Sequence, residues 1–279
     1  MSDRIPSGTR DVLPDEMREL RAITEALRSV FERDGYGEVY TPALEYEGVL
    51  ARGDMSTARP TFRVFDDHGE VLALRSDMTV PIARVVGTRY AAAEPPLRFC
   101  YFAHAYRGVR PQRGQPREFL QAGIELIGAP APDGTAEALR VLCEAVDAAG
   151  LREYRVGLGD ASLYPRLLDA VGVPEAARGR LLEALARRDL PGLEREVSEL
   201  GVSDGELLVE VPQRRGGAEV LESGSDGPLA EALAGMRAVR ELLPASAGER
   251  VIFDLGLTRE LGYYTGAVFE VYDPALGAP

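Results

Sequence analysis

Asp77 and Thr79, in "LRSDMT", follow an apolar run, where a carboxylate and a hydroxyl could receive an ammonium group. The same two residues suit a helix cap, which their types alone favour, since Asp followed by Thr is common at a strand-to-helix junction. In "FLQAGIELIG", Gln121, Gly123 and Glu125 fall on one strand face with Phe119, because side chains alternate with period two. That row is either a solvent face or the wall of a ligand cleft. "LTRELGYYTGAVFE" adds Arg259, Tyr263, Tyr264 and Gly266, with the paired tyrosines either packing or lining the same cleft. Together these groups would suit a free amino acid. Its ammonium needs a carboxylate, its carboxylate needs arginine or amide donors, and a ring with N–H groups needs a carboxylate or a phenol. A further cluster, Arg107, Arg110, Arg113 and Arg117 in "AYRGVRPQRGQPREF", looks built for a polyanion such as ATP or tRNA.

Composition limits that last reading. The formal net charge is -13, so a broad basic footprint for nucleic acid is excluded, and any polyanion site must be local. All 32 basic residues are arginine, which rules out a Schiff-base lysine or a phosphate-loop lysine. Cys100, Cys143, His68 and His104 stand at no metal-ligand spacing, so no metal site is expected and the thiols fit reduced cytosol. No apolar run approaches the roughly 20 residues of a membrane span. A cytoplasmic protein without a membrane segment is the expectation.

The elements that must position these residues follow from periodicity. Met17, Leu20, Ile23, Leu27, Val30 and Phe31 recur at helical spacing behind Pro14 and Asp15. "GEVYTPALE" reads as a strand into Pro42, which belongs at an edge or interface because proline cannot donate to a ladder. A hairpin turning at Asp67-His68-Gly69 and a helix over "MTVPIARVVGTRYA" come next, then two apolar strands flanking the arginine loop, which should pair antiparallel. A second long helix precedes the strand "EYRVGLGD". From about residue 161 the chain turns rich in Leu, Ala, Arg and Glu, which reads as a small helical insertion before strands resume near Glu249. The expected fold is α+β: a mainly antiparallel sheet flanked by helices, divided as 1–160, a helical insertion 161–248, and a resumed core 249–279.

Four segments, in order, carry a resemblance to the class II aminoacyl-tRNA synthetase core, specifically to the histidyl enzyme and its non-charging relative, the regulatory subunit of ATP phosphoribosyltransferase. "IPSGTRDVLPDE" resembles the family opening, and "VYTPALE" resembles motif 1, whose proline, here Pro42, lies at the dimer interface. "YRGVRPQRGQPREFLQAGIELIG" is similar to motif 2, and "RELGYYTGAVFE" to the histidine-specific segment. The resemblance covers nearly the whole chain. It implies a class II synthetase-like fold in which Asp77 and Thr79 hold the amino group of histidine. Arg107 would be the motif 2 arginine, Gln121 and Glu125 histidine contacts, and Arg259, Tyr263 and Tyr264 the histidine-specific set.

The nucleotide half departs from the synthetase pattern. Val109 stands where a nucleotide-contacting glutamate is usual, Gln115 where an arginine commonly meets phosphate, and Gly262 replaces the aspartate before the tyrosines. Arg107, Val109, Arg113 and Gln115 therefore resemble a vestigial nucleotide loop. Motif 3 and its glycine-rich segment would be expected beyond Pro279. The resemblance thus implies no catalytic residue and no cofactor. It implies a histidine-binding homodimer within a hetero-oligomer containing the catalytic subunit of ATP phosphoribosyltransferase, with tRNA an improbable partner. A truncated or divergent histidyl-tRNA synthetase is the alternative, and a synthetase-like module of another pathway a third. Arg110, Arg113 and Arg117 either balance an acidic surface or meet a partner subunit.

Overall fold

The computed structural model describes residues 5–53, 61–108, 116–222, 227–258 and 264–276. The chain divides into two compact units, residues 1–129 with 141–150 and residues 130–140 with 151–279.

The first unit begins with α1 (Pro14–Arg33), which opens on a proline and two acidic residues, as a helix start favours. Only its last turns are buried: Val30 and Phe31 sit in the core, while Ile23 remains exposed. Strand β1 (Gly37–Glu38) is short, because the chain leaves the ladder before Pro42, and resumes as β2 (Leu44–Tyr46). A helix without a sequence forecast, α2 (Glu47–Gly53), follows. β3 (Arg63–Phe65) and β4 (Val71–Leu74) form the expected hairpin, with Gly69 at φ +83 and the Asp66 carboxylate accepting the backbone N–H groups of His68 and Glu70. α3 (Thr79–Arg89) leads to β5 (Leu97–Tyr106) and β6 (Glu118–Ile127), a ten-residue antiparallel pair. α4 (Asp133–Ala148) contributes Val141 and Ala145 to this unit.

Period two assigns β5 and β6 two different faces. Cys100, Phe102, Ile124 and Leu126 pack with Val30 and Phe31 of α1 and with Val141 and Ala145. The opposite face carries Phe99, Tyr101 and Ala103, packed with Met78 and Ile82 of α3, and on β6 it carries Phe119, Gln121, Gly123, Glu125 and Ile127. One face is therefore closed by helices, and the other mixes core with polar groups. The separate sheet β2-β4-β3 bears an apolar outer face of Leu44, Tyr46 and Val64.

In the second unit, β7 (Arg155–Asp160) is followed by α5 (Leu163–Val171), α6 (Glu175–Ala186), α7 (Leu190–Leu200) and α8 (Glu206–Glu210). A 3₁₀ turn (Val211–Gln213) leads to β8 (Arg215–Gly216), α9 (Glu219–Glu222), α10 (Ala230–Leu242) and α11 (Ala245–Gly248). Caps mark α5 and α7. α5 stops at Gly172 in the left-handed conformation, φ +76, and the Asp189 carboxylate accepts the Gly192 N–H at the start of α7. Leu163, Leu167, Leu181, Leu193 and Leu208 bury their side chains among them. β9 (Val251–Asp254) and β10 (Ala267–Tyr272) then join β7 in a sheet of order β10-β7-β9-β8. Strands on either side of the helical segment thus share one ladder. Antiparallel pairing prevails among the described strands, with β1–β5 and β7–β9 parallel.

Candidate functional site

The corner between β4 and α3 is held by Arg75. Its buried guanidinium donates to the carbonyls of His104 (2.8 Å), Thr41 (2.6 Å) and Pro42 (3.1 Å), tying this corner to β5 and to the chain ahead of β2. Desolvation lowers its affinity for a proton. The exposed Pro42 thus has its carbonyl engaged at its own unit's core.

Beyond that corner Asp77, Thr79 and Glu125 meet. The Thr79 hydroxyl donates to Glu125 Oε1 at 2.7 Å, across 46 residues of sequence. Asp77 Oδ1 accepts the backbone N–H of Val80 at 3.3 Å, so this carboxylate does cap the first turn of α3, as its residue type alone suggested. Its charge nonetheless acts on Glu125. Burial pushes the Glu125 carboxyl above the ordinary glutamate range; the hydroxyl of Thr79 partly offsets this and the charge of Asp77 adds to it.

Gln121 lies four residues from Glu125 along β6, on the same face. Its Nε2 donates to the Tyr101 hydroxyl at 3.2 Å, and its Oε1 is buried without a hydrogen-bond partner. Sequence reasoning did not single out Tyr101. The available signal was a register one: Tyr101 stands directly across from Gly123, the smallest possible neighbour for a large ring. A Cβ at Gly123 would lie 2.5 Å from the Tyr101 oxygen, so only glycine admits the hydroxyl there.

Among the described residues, no arginine pairs with Asp77 or Glu125. This face therefore presents two carboxylates and an amide oxygen without a hydrogen-bond partner. Such a set can hold a small ligand rich in N–H donors.

The arginine ribbon behaves differently. Arg107 stacks over the Phe119 ring at 4.6 Å, on the strand face that carries Gln121 and Glu125. Arg117 stacks over Phe62 at 4.4 Å, its Nη1 reaches the Ser7 carbonyl at 3.4 Å, and its backbone N–H donates to Gly8 at 2.7 Å. It anchors the amino-terminal segment, a role not among those expected for it. Val109, Arg110, Arg113 and Gln115 lie outside the described residues, as do Arg259, Gly262 and Tyr263. Tyr264, in the second unit, lies ahead of β10 and is exposed.

Among the described residues, no group of three or more His, Cys, Asp or Glu could hold a metal ion, and no helix is long and apolar enough to cross a membrane. Cys100 and Cys143 are buried free thiols, and burial pushes Cys100 up to about 11.

A profile of the family described as "Histidyl-tRNA synthetase" matches residues 8–279. The ATP phosphoribosyltransferase regulatory subunit of Symbiobacterium thermophilum is 42% identical over 99% of this chain and 71% of its own length. That of Moorella thermoacetica is 38% identical over 99% and 73%. A crystal structure from Bacillus halodurans, titled as an ATP phosphoribosyltransferase regulatory subunit/histidyl-tRNA synthetase, superposes with TM-score 0.89 at 33% identity, covering 100% of this chain and 75% of that one. The histidyl-tRNA synthetase of Nostoc, at 19% identity and TM-score 0.79, covering 100% of this chain and 67% of its own, shares the fold.

Proposed function

Since this chain belongs to the histidyl-tRNA synthetase-like family of ATP phosphoribosyltransferase regulatory subunits, we propose that its cleft binds histidine and that this binding controls a separate catalytic subunit. In this reading the protein is itself non-catalytic. It serves the first step of histidine biosynthesis, the transfer of ATP onto phosphoribosyl pyrophosphate, and carries the feedback signal of the end product.

The observation that supports histidine is the donor-seeking face of β6. Asp77 and Thr79 offer charge and hydroxyl to the α-ammonium, while Gln121 and Glu125 offer acceptors to the remaining N–H groups. Glu125, held in a partly buried setting beside a second carboxylate, gains most from a cationic or N–H-bearing partner. Arg107, Arg259, Tyr263 and Tyr264 complete the proposed ligand set on the strength of the family resemblance. The apolar outer face of Leu44, Tyr46 and Val64, near Pro42, supports a homodimer as the unit that meets the catalytic subunit.

The family description itself favours a second reading, a histidine-activating core. Val109, Gln115 and Gly262 weigh against it, because losing preorganised charge at an adenylation site costs orders of magnitude in rate. Histidine-dependent pyrophosphate exchange separates the two. No exchange is expected, and robust exchange would put the synthetase first. For the regulatory reading, titrating histidine against the rate of the mixed catalytic and regulatory subunits should show inhibition. By reciprocity the catalytic subunit then shifts histidine affinity by the same factor, about 5- to 150-fold for a typical coupling. Failure of the two proteins to associate would sink this function.

A further inference from the structure

Gln121 can present either end of its amide to a ligand, and the two ends ask for opposite chemistry: Oε1 accepts, and Nε2 donates twice. In an open site the amide would turn to suit whatever arrived. Here Nε2 is engaged by the Tyr101 hydroxyl at 3.2 Å, which leaves Oε1 as the free end.

Tyr101 is in no position to move. Its ring is 5% exposed and packs among Met78, Ile82, Phe99 and Ala103, so the hydroxyl is fixed by the core rather than by the cleft. Gly123, opposite it in register, leaves the space the oxygen occupies; a methyl group there would sit 2.5 Å away. Core packing and one glycine thus hold a polar group whose consequence appears two residues along β6, at Gln121.

We infer that Tyr101 is a positioning residue for the ligand cleft, orienting the Gln121 amide so that the site demands a hydrogen-bond donor at that point. The inference rests on the histidine-binding reading for its functional consequence, although the orientation itself needs no ligand. It accounts for why an amide oxygen is left buried and unpartnered: the arrangement is complete only when an N–H arrives. It also means that selectivity is set from outside the row of ligand contacts.

The test combines a ligand-free measurement with a double-mutant cycle. In the unliganded protein the Gln121 side-chain NH₂ resonances should be slow to exchange with solvent, and Tyr101→Phe, which keeps the ring, should make them fast. With histidine, Tyr101→Phe should weaken binding about tenfold when Gln121 is present and less than about twofold in a Gln121→Leu background, because coupled residues are non-additive. Gly123→Ala should mimic Tyr101→Phe with the tyrosine intact. Equal losses in both backgrounds would mean that Tyr101 only packs, overturning the inference while leaving histidine binding in place. A wild type that binds no histidine yet shows the protected amide would remove the proposed function and keep the orientation; an amide that exchanges equally fast in wild type and Tyr101→Phe would remove the orientation itself.

Discussion

Two clusters of charged side chains, one in each unit, use similar residues to opposite ends. In the first unit Asp77 and Glu125 stand close together, on the side of β6 that carries Gln121, and among the described residues no arginine pairs with either carboxylate. In the second, Arg188 donates to Tyr272 at 2.7 Å and lies 3.4 Å from Glu270 and 3.5 Å from Asp254, while Arg215 lies 3.7 Å from Asp254 and stacks on the Tyr272 ring at 4.3 Å. Two cations and two anions close on themselves there. Burial, followed by the Glu270 charge, raises the Tyr272 phenol, so it stays a neutral link within the cluster. The cluster joins β8 and the turn between α6 and α7 to strands β9 and β10 of the same unit. A balanced cluster holds elements together; an unbalanced one stores a demand that a ligand can meet.

The largest effect should come from the unbalanced side. Glu125→Ala should cost about 1–3 kcal/mol of histidine affinity by leaving an N–H unpaired in a partly buried cleft, and calorimetry on both proteins measures it. Its melting temperature should fall little, because among the described residues no partner cation is orphaned and only the Thr79 hydroxyl loses its acceptor. Unchanged affinity would mean that the strand only packs.

Asp254→Ala should do the reverse: about 1–2 kcal/mol lost in denaturant unfolding, with histidine affinity within error. Asp254 is 5% exposed, and losing a buried ion's partner is costly, but Arg188 and Arg215 keep solvent contact, at 44% and 39%, which discounts the penalty. A large loss of affinity would erase the distinction between the clusters.

A smaller effect sharpens the contrast through pH. Glu125 keeps its proton to a higher pH in the folded chain than in the unfolded one. Its contribution therefore lowers stability progressively as pH rises from the ordinary glutamate range through the raised folded value, then levels off. Glu125→Gln should remove that slope, so the variant gains on wild type across this window in urea titrations at stepped pH. Parallel curves would contradict the assignment.

Arg188→Gly should change least. Arg188 sits at φ +55, a left-handed conformation that costs a non-glycine residue roughly 1 kcal/mol, and its partly exposed ion pairs contribute up to about 1 kcal/mol. The two should cancel to within about 0.5 kcal/mol, which chemical denaturation can resolve. A loss well beyond that would show the cluster to be tighter than its exposure suggests.

The shared face of the candidate site was legible from strand parity. Gln121, Gly123 and Glu125 share a face because alternate residues of any strand do, and the alternation in "FLQAGIELIG" survived folding intact. Asp77 was legible twice over, since its oxygen caps α3 while its charge acts on Glu125. Helix α2 was not legible: its seven residues hold a single buried side chain, Leu50, too little to set a helical period. Nor was the fate of Arg117, whose partners Phe62 and Gly8 lie far along the chain.

Composition, periodicity and motif order by themselves determined the α+β class, most of the longer elements and the family, because each is written within a few neighbouring residues. Folding decided that Tyr101 meets Gln121, that Thr79 meets Glu125 and that Arg75 is caged by carbonyls from two other segments. Those pairings depend on the register between β5 and β6 and on where α3 docks. A strand slipped by two residues keeps every side chain on its face and changes every partner, so the local pattern is blind to the difference.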